Sequence, residues 1–274
     1  MFEKSLFIKP QTCQAEALER VHSKSYLSQA EKDIKQGASQ LSTGDTSISK
    51  DSWEVAQQAT GGIVGALDQI MSGSIDRAFC LTRPPGHHAT PTRGMGFCIF
   101  NHAAVVARHA QSVHGVGKVL IVDWDVHHGN GTQDIFYEDE SVYFFSTHQA
   151  PWYPGTGSSE ETGSGNGLGF TRNHPLPSGS GNAEIVENAF ADDLVHRMNR
   201  YRPELVIISA GFDSKLGDPL GQFQLMDDDF SELTRVIRSI EKEYAESRVL
   251  SILEGGYHLD GLSQACVAHL GAFI

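Results

Sequence analysis

The sequence lacks the paired cysteines, basic runs and long apolar stretches that mark several common protein classes. Its four cysteines are widely spaced and form no C-x-x-C pair, so neither a disulfide framework nor a thiolate zinc cluster is expected. The net charge of −13, without any Lys/Arg-rich run, argues against nonspecific nucleic-acid binding. No apolar run approaches the roughly 18–20 residues of a membrane helix, and the N-terminal residues do not resemble a signal peptide. We therefore expect a cytoplasmic protein that binds neither nucleic acid nor membranes.

Histidine and glycine, in contrast, are abundant, with 13 and 28 residues. Imidazole carries protons and binds metals near neutral pH, and glycine allows tight backbone turns, so this composition favours a site built on loops. With 274 residues, of which 39% are hydrophobic, the chain can bury a large core. A single domain over residues 1–274 is the simplest interpretation, because no linker or internal repeat divides the sequence.

Short β-branched runs alternate with longer helical patterns, which predicts an α/β fold with a central, mostly parallel sheet wrapped by helices. The predicted strands are Leu6–Lys9, Arg77–Leu81, Lys118–Trp124, Val142–Ser146, Glu204–Ser209 and Arg248–Leu253. The predicted helices are Ala15–Val21, Ser52–Met71, Phe97–Val113, Ala183–Arg200, Asp228–Glu246 and Leu259–Leu270. The Gly/Ser-rich segment Pro151–Gly169 predicts a long surface loop, a type of connection that is commonly functional.

Ionisable side chains cluster where two of the predicted strands end. Asp123, Asp125 and His127 occupy alternate positions, so we expect their side chains to point the same way. Asp213 follows a second apolar strand, and ligands bind at the carboxyl ends of such strands. Burying two carboxylates beside an imidazole is costly unless a cation neutralises them. The set Asp125, His127 and Asp213 therefore predicts a catalytic divalent-metal site with an open fourth position.

Two further motifs at strand ends supply groups that can transfer protons or donate hydrogen bonds. The prolines and glycine of RPPGHH hold His87 and His88 in a turn. Alone they would be ordinary surface histidines, but beside a metal they become candidate proton carriers for an attacking water. In EGGY, the Tyr257 hydroxyl is a candidate hydrogen-bond donor to a developing oxyanion, with a packed aromatic as the alternative interpretation.

Five motifs resemble, in order, those of the zinc-dependent histone deacetylase family, in particular its class II and bacterial branch. They are RPPGHHA, GFCIFNHAAVVARHA, VDWDVHHGNGT, SAGFDSKLGDPLGQ and LEGGYHLDGL. The resemblance implies the three-layer α/β/α arginase–deacetylase fold. It also implies hydrolysis of N-acetyl amides by a metal-activated water, with Zn²⁺, or alternatively Fe²⁺, held by Asp125, His127 and Asp213.

The same resemblance assigns roles to residues around the metal. His88 would be the general base and acid, and His87 an electrostatic partner oriented by Asp123. Asn130 occupies the position of the partner of the second histidine, where Asn is usual in class II. Tyr257 would polarise the scissile carbonyl.

The resemblance further implies a substrate tunnel and a potassium site. Phe97 and Tyr153 match the aromatic tunnel walls, although Phe97 alone would be interpreted as core packing. Gly96 is a candidate backbone acceptor, and Asp45 matches a rim carboxylate that bonds the substrate backbone. The K⁺ ligands implied are Ser146, Thr147 and backbone oxygens of Asp123, Asp125 and His127.

Acetyl-lysine in peptides or proteins is the expected substrate, with two alternatives left open. Polyamine-specific members resemble this chain in their GDP-x-GQ stretch but carry a gatekeeping Glu where it has Leu220; the net charge of −13 would nonetheless not repel a polycation. A catalytically weak acyl-lysine-binding module is the second alternative, which the intact histidine pair and tyrosine disfavour. Two-metal chemistry of the arginase type would need further carboxylates, where the chain has Gly129 and Lys215.

Compared with the family, the chain begins at what is usually the second strand, in SLFIKP, which predicts an N-terminally shortened catalytic domain. An exposed sheet edge must be blunted, covered or paired. We therefore expect that a homo-oligomer completes the edge and the rim of the site, or that the rim is unusually open.

Overall fold

A six-stranded sheet organises the computed structural model, which describes residues 7–273. The strands are β1 (Arg77–Cys80), β2 (Val119–Asp123), β3 (Val142–Gln149), β4 (Thr171–Leu176), β5 (Leu205–Ala210) and β6 (Val249–Leu253). Their spatial order is β1-β6-β5-β2-β3-β4, and all neighbouring pairs in the described part of the chain are parallel. The predicted α/β class is confirmed, and the sheet is parallel throughout this region rather than mostly so.

Helices connect the strands and cover the sheet. They are α1 (Ala15–Glu19), α2 (Lys24–Lys35), α3 (Ser52–Met71), α4 (His102–His114), α5 (Asn130–Phe136), α6 (Val195–Tyr201), α7 (Asp227–Tyr244) and α8 (Leu259–Phe273). A segment with π-helical hydrogen bonding, Ala183–Leu194, continues directly into α6. The long connection between β3 and β4 contains only a 3₁₀ turn at Gly165–Gly167, as the loop prediction requires.

The inner strands are buried on both faces because helices pack on both sides of the sheet. In β2, Val119 and Ile121 join the apolar cluster formed with α1–α4, whereas Leu120 and Val122 join the cluster formed with the π-helical segment, α7 and α8. Side chains that alternate between two faces are the geometry of a strand. The predicted three-layer α/β/α arrangement is therefore confirmed.

Two strand predictions differ from the structure. Residues 7–9 form no strand, although Leu6–Lys9 is predicted as one, and Leu6 itself lies outside the described residues. Conversely, β4 is absent from the prediction, since its sequence TRNHPL is largely polar and contains Pro175. An edge strand tolerates proline because only one of its sides has to complete a ladder of hydrogen bonds.

The helices α2 and α5 are also absent from the prediction. For α2 a local signal exists, since the Ser23 hydroxyl accepts a hydrogen bond from the Tyr26 N–H (3.2 Å) as an N-cap. The buried side chains Tyr26, Ala30 and Ile34 are spaced at four residues, as on one helix face. The seven-residue α5 is short and follows the glycine-rich end of the VDWDVHHGNGT motif.

The helix predicted to start at Phe97 starts at His102. Gly96 and Phe97 have φ angles of 56° and 67°, which a right-handed helix does not accommodate. The Asn101 side chain then accepts a hydrogen bond from the Ala104 N–H (2.9 Å) and caps the new helix. Residues 97–100 therefore lie outside the helix, and Phe97 can form part of the site.

Strands β1 and β4 lie at the two edges of the described sheet. The expectation that a second copy of the chain covers an edge stays a prediction. Within residues 7–273, the helices are too short or too polar to cross a lipid bilayer.

Candidate active site

The candidate metal ligands lie on loops beyond two adjacent strands. The chain leaves β2 at Asp123, so Asp125 and His127 occupy the following turn and not the strand, which corrects the argument from side-chain alternation. Carboxylates fix this turn, because the His127 N–H donates to Asp125 Oδ1 (2.9 Å) and the Val126 N–H donates to Asp213 Oδ1 (2.9 Å). Asp213 therefore holds the turn that carries the other two side chains.

The three side chains converge on one point. One ligand atom from each of Asp125, His127 and Asp213 lies within 4.8 Å of the others, and all three residues are buried. His127 Nδ1 is 3.0 Å from Asp125 Oδ1 and 3.1 Å from Asp213 Oδ2. Carboxylate oxygen and imidazole nitrogen are donors for zinc and related divalent ions, so this set fits such an ion.

The electrostatics of the triad also suit a cation. Burial, and then the Asp125 carboxylate, raise the pKa of Asp213 to about 7. Burial opposes the charged form of His127, but hydrogen bonds to the two carboxylates outweigh it and raise its pKa to about 10. Protons thus gather where negative charge is concentrated, and a divalent ion competes for the same atoms.

Glycine is required beside the triad. The Gly255 N–H donates to Asp125 Oδ2 (2.8 Å), which brings the backbone against the metal ligands. A Cβ at Gly255 would overlap the carboxylate oxygens of Asp213 and Asp125. The GG of the EGGY motif therefore permits a close approach that no other residue could make.

The predicted histidine pair is buried next to the triad, with the two ring centroids 4.0 Å apart. His87 Nδ1 lies 2.9 Å from Asp123 Oδ2, and His88 Nδ1 lies 2.8 Å from Asn130 Oδ1. Ionised carboxylate and amide oxygens only accept hydrogen bonds, so each Nδ1 must carry the proton. The Nε2 of a neutral His88 is then free to accept one.

The partners of the two histidines give them opposite charge states. Burial opposes protonation of His87, but Asp123, Asp125 and Glu254 together raise its pKa well above the ordinary value. Burial, and then the charge on His87, lower the pKa of His88 well below the ordinary value. These opposite shifts favour a neutral His88 imidazole beside a protonated His87.

Glu254, the acidic residue of the EGGY motif, is a further residue of the site that its sequence context alone does not identify. Its Oε2 accepts hydrogen bonds from the backbone N–H groups of Gly86 (2.6 Å) and His87 (3.2 Å), and its Oε1 accepts one from Ser209 Oγ (3.1 Å). Burial raises the pKa of Glu254 to about 7. This carboxyl group joins the ends of β5 and β6 to the turn that carries the histidine pair.

Asp218, in the GDP stretch, is a second such residue. Its Oδ2 accepts hydrogen bonds from the backbone N–H groups of Tyr257 (2.7 Å) and His258 (3.0 Å). Its Oδ1 accepts one from the Leu220 N–H (2.9 Å). The buried Asp218 carboxylate thus fixes the backbone that carries Tyr257 to the loop that carries Leu220.

Tyr257 is suited to donate a hydrogen bond. Burial, and then the nearby Asp213 and Asp125 carboxylates, raise the pKa of Tyr257 above its ordinary value. The phenol therefore keeps its proton across the neutral range. Its ring centroid lies 6.1 Å from that of Phe97, which places both aromatic rings together.

The predicted tunnel residues come together at the rim of the site. Phe97 is 50% exposed, so it is not a core residue. Tyr153 packs its ring at 5.2 Å from the His88 ring. Asp45 joins these segments, because its Oδ1 accepts the Gly96 N–H (2.8 Å) and its Oδ2 accepts the Tyr153 hydroxyl (3.0 Å).

Leu220 lies on the neighbouring part of the rim, and its side chain is partly exposed. The Trp152 Nε1–H donates to the Leu220 carbonyl (2.9 Å), which ties the Leu220 loop to the segment that carries Tyr153. Each of the predicted substrate-contacting residues therefore belongs to one connected rim.

The predicted potassium ligands include two residues of β3, the strand that pairs with β2. Ser146 on β3 is paired in register with Asp123 on β2, and both residues are buried. Within residues 7–273, the buried Thr147 Oγ1 has no hydrogen-bond partner. Oxygen donors of this kind are those a hard monovalent cation takes, so the residues fit the predicted ion.

Comparisons with known proteins agree with this geometry. A family profile described as the histone deacetylase domain matches residues 1–273. The Oryza sativa subsp. japonica protein named histone deacetylase 10, chloroplastic, is 39% identical over 264 residues, covering 93% of this chain and 59% of the rice protein. The Homo sapiens protein named polyamine deacetylase HDAC10 is 42% identical over 216 residues, covering 77% of this chain and 32% of the human protein.

A solved structure shows the same architecture. The crystal structure of the HDA15 HD domain matches with a TM-score of 0.92 and 36% sequence identity, covering 98% of this chain and 75% of that chain. The chain spans about three fifths of the length of the curated plant relatives that it matches.

Proposed function

Because the chain belongs to the histone deacetylase family, we propose that it hydrolyses N-acetyl amides, with acetyl-lysine side chains of peptides or proteins as substrates. The observation that carries the proposal is the placement of the His88 imidazole, with its Nδ1 2.8 Å from Asn130 Oδ1, next to the converging Asp125–His127–Asp213 triad. The lowered pKa of His88 and the raised pKa of Tyr257 support a base and a hydrogen-bond donor at these positions. A base, a metal site and an oxyanion donor are the components that amide hydrolysis needs.

In the proposed mechanism, a divalent ion held by Asp125, His127 and Asp213 supplies Lewis acidity when bound. His88 Nε2 accepts a proton from the attacking water, because its Nδ1–H is already committed to Asn130. The Tyr257 hydroxyl donates to the carbonyl oxygen as negative charge develops there. His88 then returns its proton to the departing amine nitrogen.

His87 has a different part in this mechanism. It stays protonated next to the Asp123 carboxylate, with which it forms a 2.9 Å hydrogen bond. Its positive charge disfavours a resting proton on His88 and so keeps the base available. For the ions, we propose Zn²⁺ or Fe²⁺ at the triad and K⁺ at Ser146 and Thr147 with the backbone oxygens described above.

The rim favours an acyl-lysine over an acetylated polyamine. Phe97 and Tyr153 offer aromatic walls to a methylene stem, and Leu220 offers no charge to a distal ammonium group. The test compares kcat/KM for an acetyl-lysine peptide, acetylputrescine and N⁸-acetylspermidine, with a chelator-treated sample as the blank. We expect preference for the peptide, and a strong preference for either polyamine would overturn the proposal.

The Leu220→Glu variant adds a specificity prediction to this test. A carboxylate at the rim attracts a distal ammonium, so we expect kcat/KM for N⁸-acetylspermidine to rise about tenfold relative to the peptide. The matched control is Leu216→Glu, which places the same charge on another exposed leucine of the segment. An equal effect of both variants would show that net charge, and not a position at the rim, determines the preference.

Asp218→Asn tests whether Asp218 acts as a positioning residue for Tyr257. The amide keeps the volume but presents one acceptor oxygen in place of two, so at least one of the three backbone hydrogen bonds is lost. We expect kcat to fall about tenfold, in line with about 1.4 kcal/mol for a charge-assisted hydrogen bond.

A double-mutant cycle separates this role from a general loss of stability. If Asp218 acts through Tyr257, Asp218→Asn has almost no further effect on kcat in a Tyr257→Phe background. An additive effect in the double variant, measured at the same temperature with thermal unfolding as a check, would contradict the role.

A further inference from the structure

We propose that Asp68, His109 and His114 form a second divalent-metal site, of the kind that takes Zn²⁺, on the outer surface of the α3–α4 pair. Asp68 lies in α3, and His109 and His114 lie in α4. Both helices belong to the layer on one face of the sheet, whereas the active-site triad lies on loops beyond the strand ends. The proposed site therefore shares no residue or loop with the active site.

The donor atoms converge in the manner of the active-site triad. His109 Nε2 and His114 Nε2 lie 2.9 Å and 2.7 Å from the same oxygen, Asp68 Oδ1. One ligand atom from each residue lies within 4.8 Å of the others, a criterion that the active-site triad also meets. Two imidazoles and a carboxylate make a three-ligand zinc set, with the remaining position left to water.

The helical repeat alone does not explain this cluster. Residues three or four apart share a helix face, whereas His109 and His114 are five apart. Their ring centroids nevertheless lie 5.6 Å apart, with His114 at the last position of α4. The side chains of Asp68, His109 and His114 are 48%, 13% and 22% exposed, so an ion and its water ligands can reach the site.

Arg20 is the group that opposes metal binding. Its Nη1 lies 3.4 Å from His109 Nδ1, and a guanidinium can only donate, so this contact requires an unprotonated Nδ1. A metal on His109 Nε2 requires the opposite tautomer, with the proton on Nδ1. The Arg20 contact and the metal therefore exclude each other, and the exposed Arg20 side chain must turn away when the ion binds.

The test is a Zn²⁺ titration of the full chain. Calorimetry measures the binding, and native mass spectrometry measures the metal-to-protein ratio. We expect two equivalents of Zn²⁺ for the unmodified protein. The double variant His109→Gln/His114→Gln keeps side-chain N–H donors toward Asp68 but removes both imidazole ligands, so the second equivalent should bind more than about tenfold more weakly. His196→Gln, at an exposed histidine elsewhere, is the matched control and should keep both equivalents.

The Arg20→Ala variant provides a test that does not depend on whether the two glutamine substitutions destabilise the fold. It removes a positive charge and the competing hydrogen bond, so Zn²⁺ binding at the second site should tighten about threefold or more. Asp213→Ala should lose the active-site equivalent and keep this one, which separates failure of this inference from failure of the proposed deacetylase activity. The inference is overturned if the double glutamine variant keeps both equivalents, or if neither the unmodified protein nor Arg20→Ala binds the second.

Discussion

Tyr257→Phe is expected to lower kcat for an acetyl-lysine peptide by about 10²–10³-fold, while bound metal and KM stay nearly unchanged. The substitution removes only the phenolic hydroxyl and keeps the ring that lies 6.1 Å from Phe97. The loss falls on kcat because the donor is needed most when the carbonyl oxygen becomes negative. Steady-state kinetics on metal-quantified protein measure both quantities.

Tyr153→Phe is the control for this variant. It removes a phenol from the same rim, but one whose hydroxyl donates to Asp45 and not toward the triad. We expect a kcat within about tenfold of the unmodified protein, since only positioning of the rim is affected. Full turnover by Tyr257→Phe, or equal losses in the two variants, would contradict the assigned role of Tyr257.

Asp213→Ala is expected to remove the active-site metal and, with it, at least about 10³-fold of the activity. Asp213 supplies one of three converging ligand atoms and also accepts the Val126 N–H that fixes the turn between the other two ligands. Losing it therefore removes a ligand and loosens the remaining pair. Metal content and turnover are measured together after dialysis against Zn²⁺ or Fe²⁺.

Asp68→Ala is the matched control for Asp213→Ala, because it also removes a carboxylate. Asp68 lies on α3 and is not part of the active site, so we expect this variant to retain turnover and the active-site metal. Chelation of the unmodified protein followed by addition of Zn²⁺ or Fe²⁺ identifies the ion that restores activity. An Asp213→Ala protein that keeps both the active-site metal and full turnover would show that other residues hold this ion.

The strands that carry the site could be predicted from the sequence because each contains a run of consecutive apolar residues. VLIVD in β2 is apolar on both faces, since helices pack on either side of a parallel sheet. The edge strand β4 has no such run, and its pairing with β3 depends on a partner distant in sequence. Local pattern therefore identified the apolar strands, including β1 at the other edge, but not the polar β4.

The residues that the structure brings together at the candidate site could largely be named from the sequence. Carboxylates and imidazoles at strand ends indicate a metal site from the sequence alone. Asp218 and Glu254 could not be assigned in the same way, because each acts on backbone amides of segments far along the chain. For the same reason, alternation along a strand was the wrong explanation for Asp125 and His127, which tertiary hydrogen bonds hold in a turn.

The left-handed backbone conformation of Phe97 means that the residues at the rim of the site differ in how easily they can be substituted. A bulky residue at a φ of 67° persists only where the surrounding structure enforces it, so few amino acids can replace Phe97 without cost. Leu220 is not among the residues with a positive φ, so its backbone conformation does not restrict which amino acid can replace it. New substrate preferences in related lineages should therefore arise by exchange at Leu220, whereas Phe97 should change rarely.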